Sequence, residues 1–104
     1  MSDPISALHA RYRASFPEKR AELLAALVAW RTQPTSPDTI AAVYLRVHKL
    51  AGSAGAYGFD ALTDIARIAD RLLQPHAHGG EALTEAQIAP IHAAVVAVAE
   101  ALQD

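Results

Sequence analysis

The stretch "TIAAVYLRVHKLAGSAGAYGFD", Thr39 to Asp60, decides the fold. Within it Ile40, Val43, Val47, Leu50, Ala54 and Tyr57 recur at alternating three- and four-residue steps, the period of one apolar face of an α-helix. Ser36 and Pro37 stand just before it as an N-cap and a first helical residue, and "GFD" around Gly58 reads as a turn. The spacing therefore predicts a helix over 37–55.

The rest of the chain follows the same pattern. Ile88, Ile91, Val95, Val98 and Leu102 predict a seam on a helix over 85–103, opened by a Thr84/Gln87 capping box. Pro90 inside it removes one backbone bond, so a kink or a late restart is expected there. Leu62, Ile65, Ile68 and Leu72 predict the buried face of a helix over 59–74, and Leu23, Leu24, Leu27 and Trp30 that of a helix over 17–32. Ser15 to Glu18 reads as a second capping box with proline in the first turn, and a short helix is expected over 4–14. "QPHAHGG" is a loop. β-branched and aromatic residues are sparse beside alanine and leucine, and nothing alternates apolar with polar for long. The fold class is all-α: an antiparallel up-down four-helix bundle with a short extra N-terminal helix, one domain over 1–104.

Composition excludes several functions. The formal charge is -2 and the basic residues are scattered, so the electrostatic footprint of a nucleic-acid binder is missing. There is no cysteine, no long uninterrupted apolar run and no basic-then-apolar leader, which leads to the expectation of a cytoplasmic protein without a membrane partner. No phosphate-cradling glycine loop or kinase motif set is present, so no use of ATP is expected. His76 and His78 in the loop are two possible ligands without a cysteine or a clear acidic partner, and no metal site is expected from them. His9 and His92 are expected to be structural or solvated, and Trp30 and Phe16 to belong to the core.

His48 is different. At about 100° per residue it lies just off the apolar seam, on a stripe with Tyr44, Ala51, Gly52 and Gly55, so the surface beyond the ring is almost bare backbone. Glycine inside a helix costs roughly 0.5–1 kcal/mol relative to alanine, and the apolar pattern does not require that loss. Either another protein's backbone approaches the ring, or the glycines permit close helix packing or end the helix early. Near neutral pH an imidazole of ordinary pKa, about 6.5, offers a nitrogen lone pair for nucleophilic attack.

The run His48, Lys49, Leu50, Ala51, Gly52, Ser53, Ala54, Gly55, Ala56, Tyr57, Gly58, Phe59 resembles the signature of the histidine phosphotransfer (HPt) domains: histidine, an aliphatic, glycine, small residues, an aromatic and glycine. The family usually carries a basic residue three positions after the histidine, where this chain has Ala51. Lys49 points to a different sector, so charge support for a phosphoryl group is left to Lys49, to Arg67 on the next helix, or to the partner alone. The resemblance implies that His48 accepts a phosphoryl group from a receiver-domain aspartate and passes it to another receiver, the partners being receiver domains of a response regulator and of a hybrid sensor kinase. It implies a monomeric phosphoryl carrier, not an enzyme in its own right, with no cofactor of its own; Mg2+ is expected in the partner receiver. Asp70 is the candidate acceptor for the Nδ1 hydrogen of His48, at a place where the family often carries a glutamate or another polar residue. As an alternative it is a surface acid paired with Arg67 or Arg71, while Asp64 with Arg67 three residues on reads as a helix-surface pair. The expected docking surface is Tyr44, Lys49, Ala51, Gly52, Gly55 and Arg67. The competing functional class is a non-catalytic helical adaptor or dimerisation module. A metal-binding bundle is disfavoured because the seams are purely apolar.

Overall fold

Pro37 opens the helix that carries the seam, with Ser36 in extended conformation just before it. The Ser36 side chain makes no capping bond; Thr39 Oγ1 donates to the Gln33 and Ser36 carbonyls instead, at 2.6 and 3.1 Å. In this computed structural model, which describes residues 4–103, the elements in order are α1 (Pro4–Ala14), α2 (Phe16–Thr32), α3 (Pro37–Ser53), a 3-10 turn (Ala54–Tyr57), α4 (Asp60–Leu73), an irregular turn (Gln74–Gly79) and α5 (Glu85–Ala101). Residues 1–3 and 104 of the expected domain lie outside the described range. The described residues form helices joined by turns, without a strand. α2, α3, α4 and α5 pack in a closed ring, while α1 rests on α2 and on the 3-10 turn.

The core lies inside that ring. Val43, Val47, Val95, Val98, Leu102, Leu23 and Trp30 are fully buried, so the α3 and α5 seams and most of the α2 face pack inward. Trp30 also donates its indole N–H to the Pro34 carbonyl at 3.0 Å, which satisfies the one polar atom it buries. Thr84 N–H donates to Gln87 Oε1 at 2.8 Å, the reciprocal arm of the capping box at the start of α5. That helix continues through Pro90 with neither a break nor a restart.

Several expectations are corrected. The box at Ser15 does not form: Ser15 has helical dihedrals, its hydroxyl donates to the Tyr12 carbonyl at 2.6 Å and it accepts from Lys19 Nζ at 2.8 Å. Leu24 is 40% exposed, outside the core. On α4 the buried face is Leu62, Thr63, Ala66, Ala69 and Leu73, whereas Ile68 and Leu72 are 56% and 38% exposed. Ala66 and Ala69 fill the middle of this face between Leu62 and Leu73, so its small residues, invisible to a count of large aliphatics, rotate Ile68 and Leu72 outward. α3 ends at Ser53 rather than 55, where the Ser53 hydroxyl donates to the Lys49 carbonyl at 2.7 Å and accepts from Tyr12 OH at 2.8 Å. The 3-10 turn closes on Gly58 at φ 90°, a left-handed position that suits glycine.

The turn after α4 is tightly built. His76 is buried and its Nδ1 donates to the Glu81 carbonyl at 2.8 Å, while Glu81 N–H donates to the Pro75 carbonyl at 2.7 Å. A Cβ at Gly80 would lie 2.1 Å from the Pro75 carbonyl oxygen. Gly80→Ala is therefore expected to destabilise the protein by about 1–3 kcal/mol through backbone displacement. An unchanged midpoint in urea denaturation would show that the turn yields freely.

Candidate functional site

Two contacts set the register of α3 against α4. A Cβ at Gly55 would meet Thr63 Oγ1 at 3.3 Å, and His48 Nδ1 lies 3.0 Å from Asp70 Oδ1. The order of these pairs is opposite along the two segments, and interpolation between them sets Arg67 across from Ala51. Ala66 and Ala69 are buried on the same helix, a small-residue surface compatible with a close approach of α4.

His48 is 60% exposed through its side chain, while the Asp70 side chain is only 20% exposed. An ionised carboxylate only accepts, so Nδ1 carries the proton and donates it to Asp70. The remaining nitrogen, Nε2, holds a free lone pair and has no hydrogen-bond partner among the described residues. Tyr44 stacks on the ring at 5.2 Å between centroids and 21° between planes, with its hydroxyl 3.4 Å from Nδ1. At 3.0 against 3.4 Å, Asp70 is the dominant partner.

The other expected site residues separate into groups. Gly52 is exposed, and a Cβ added there would meet nothing within 4 Å, so close helix packing does not account for it. Gly55 lies beyond the end of α3, in the 3-10 turn, where its bare Cα accommodates Thr63; this position serves packing. Ala51 is half-buried against the core. Lys49 is exposed and lines a groove between α2 and α3 with Lys19, Glu22 and Arg46, on the flank facing α2. Within that groove Arg46 pairs with Glu22 at 2.8 Å. Arg67 is exposed and forms no ion pair with Asp64 or Asp70, so the expected Asp64–Arg67 surface pair is not made.

The remaining histidines take other roles. His9 stacks on Phe59 at 4.1 Å, and its Nδ1 donates to the Tyr57 carbonyl at 2.9 Å, which ties α1 to the 3-10 turn. His76 and His78 point apart, and among the described residues no cluster of three or more histidine, aspartate or glutamate side chains could hold a metal ion. His78 was not legible as part of this site: its ring meets Tyr44 edge-on at 5.8 Å and 89°. A positive φ in a loop, on which that contact depends, leaves no mark in apolar periodicity.

The Hpt domain family model matches residues 7–104, nearly the whole chain, and the protein therefore belongs to the Hpt domain family. Comparison with curated proteins and with solved structures gives no match. Hpt domains are phosphocarrier modules rather than classical enzymes, and they work with receiver domains in phosphorelays. No helix among the described residues is long and apolar enough to cross a membrane.

Proposed function

We propose that this chain takes a phosphoryl group onto Nε2 of His48 from the aspartyl phosphate of one receiver domain and passes it to the aspartate of another. The observation that carries this is the 3.0 Å pairing of His48 Nδ1 with Asp70, which leaves Nε2 open to solvent beside a Gly52 that nothing covers. The Nε2 lone pair forms the N–P bond while the P–O bond to the receiver's carboxylate breaks, and that carboxylate leaves with the electron pair. The ring, which keeps its Nδ1 proton, becomes an imidazolium, and the Asp70 carboxylate stabilises the charge as it develops. Return transfer reverses each change. Positioning and charge neutralisation account for most of such a step, and any Mg2+ involved belongs to the partner receiver. The receivers fitting this role are those of a response regulator and a hybrid sensor kinase. The carrier is a monomeric, cytoplasmic single domain with an antiparallel bundle fold, α1 being its extra N-terminal helix.

The test is incubation of the full chain with receivers from the same genome, phosphorylated on aspartate with labelled phosphate. The label should move to this protein and be lost in acid but kept in base, as a phosphoramidate is. Failure of every receiver to donate would remove the carrier reading and leave the adaptor class.

Asp70→Asn tests the partner group. It keeps an acceptor oxygen but loses the charge that favours the imidazolium, a hydrogen bond to a charged group being worth about 1.5–3 kcal/mol. Single-turnover transfer should slow about 10–100-fold, with receiver binding little changed. An unchanged rate would return Asp70 to the surface acids.

A further inference from the structure

Among the described residues only one non-glycine has a positive φ: His78, at φ 54° and ψ 44°, in the turn after α4. The left-handed region is unfavourable for a residue with a Cβ, and glycine would occupy it without strain. Such an outlier persists only where its surroundings determine it. Here they do, because the turn is held by the buried His76 and by the hydrogen bonds of Glu81 to Pro75 and of Gly80 to Ala77, and it packs against α3. The strained backbone sets the imidazole of His78 edge-on against Tyr44, at 5.8 Å and 89°. Tyr44 in turn lies on the face of His48.

We propose that His78 is a positioning residue for the phosphoacceptor, pinning the Tyr44 ring over the His48 imidazole so that Nε2 is presented in one direction. Asp70 fixes one point of the ring, but a single hydrogen bond at Nδ1 leaves the plane free to rock about it. A stacked tyrosine removes that freedom only if the tyrosine is itself held, and Tyr44 is a half-exposed side chain one helical turn before His48. The edge-on contact from His78 supplies the hold, in the geometry that aromatic pairs favour. Phosphoryl transfer is sensitive to displacements of about 1 Å in the nucleophile, so the effect belongs to the rate of the step and not to docking.

Since the role assumes His48 as phosphoacceptor, the experiment has one arm that needs no phosphate. In His78→Gly the left-handed strain is gone and the ring contact with it. The denaturation midpoint should be unchanged or higher. The ring-proton chemical shifts of His48, displaced by the stacked Tyr44 in the native protein, should move toward those of a free imidazole. With a phosphorylated receiver, the maximal single-turnover rate should fall about tenfold while the half-saturating receiver concentration stays the same. His78→Phe, which keeps a ring edge but no nitrogen, should restore both the shifts and the rate. Unmoved His48 shifts, an unchanged maximal rate, or a change confined to half-saturation would each overturn the proposal, the last by making His78 a docking residue. If the native protein accepts no phosphate, the carrier reading fails, and the shifts alone decide whether His78 holds the ring.

Discussion

His48→Gln is expected to abolish phosphoryl uptake from a receiver domain and to leave the fold intact. Glutamine has no nitrogen lone pair that can attack phosphorus, because its amide nitrogen is conjugated with the carbonyl. The side chain it replaces is 60% exposed, with Asp70 as its hydrogen-bonded partner and Tyr44 stacked on its ring. A pair as open as this contributes about 0–1 kcal/mol, so the melting temperature and helical signal should hardly move. Asp70 loses one donor but remains near enough to solvent to be hydrated, which keeps the variant folded. Two of the other described histidines offer no equivalent ring. His76 is buried, and His9 is stacked on Phe59 and bonded to a backbone carbonyl. Label that survives His48→Gln would place the acceptor elsewhere and remove the carrier mechanism at its root.

The contrast between α3 and α4 shows which parts of the architecture can be read from residues alone. On α3 and α5 the core positions are the large aliphatics, whose three- and four-residue steps identify the inward face. On α4 the same rule selects Ile68 and Leu72, which are exposed, and misses Thr63, Ala66 and Ala69, which are buried. Burial there is decided by how closely two helices approach, and size-weighted periodicity carries no information about that distance. A bulky residue in place of the fully buried Ala66 or Ala69 is expected to displace α4 and with it Asp70 from His48. The pairing of His48 with Asp70 was legible as one of two alternatives, since the short turn expected between α3 and α4 brings these positions level if the chain folds back on itself. Their backbone geometry supplied the 3.0 Å distance. His78 lay beyond reach for a different reason: its contact depends on a left-handed turn conformation, which apolar periodicity does not record.

Gly52 separates a docking surface from architecture most sharply. Nothing lies within 4 Å of the Cβ that a side chain would add there, so Gly52→Gln introduces no clash within the molecule. Glutamine is the better helix former by up to about 0.9 kcal/mol, less in a last helical turn, so the variant should be as stable as the native protein or slightly more so. Function should respond in the opposite direction. The new side chain projects from the turn after His48, where a receiver's backbone has to come close for its aspartyl phosphate to reach Nε2. Forcing a side chain into a fitted contact costs about 1–3 kcal/mol, which corresponds to a roughly 10–100-fold loss in receiver affinity and in transfer at limiting receiver. At saturating receiver much of the rate should return, since a Cβ at Gly52 would meet neither the His48 nor the Asp70 side chain in the free protein. Measuring the denaturation midpoint and the receiver dependence of transfer on this one variant therefore tests the surface directly. A stable Gly52→Gln protein that still takes up phosphate at the native affinity would show that the bare backbone beside His48 is not where the partner docks.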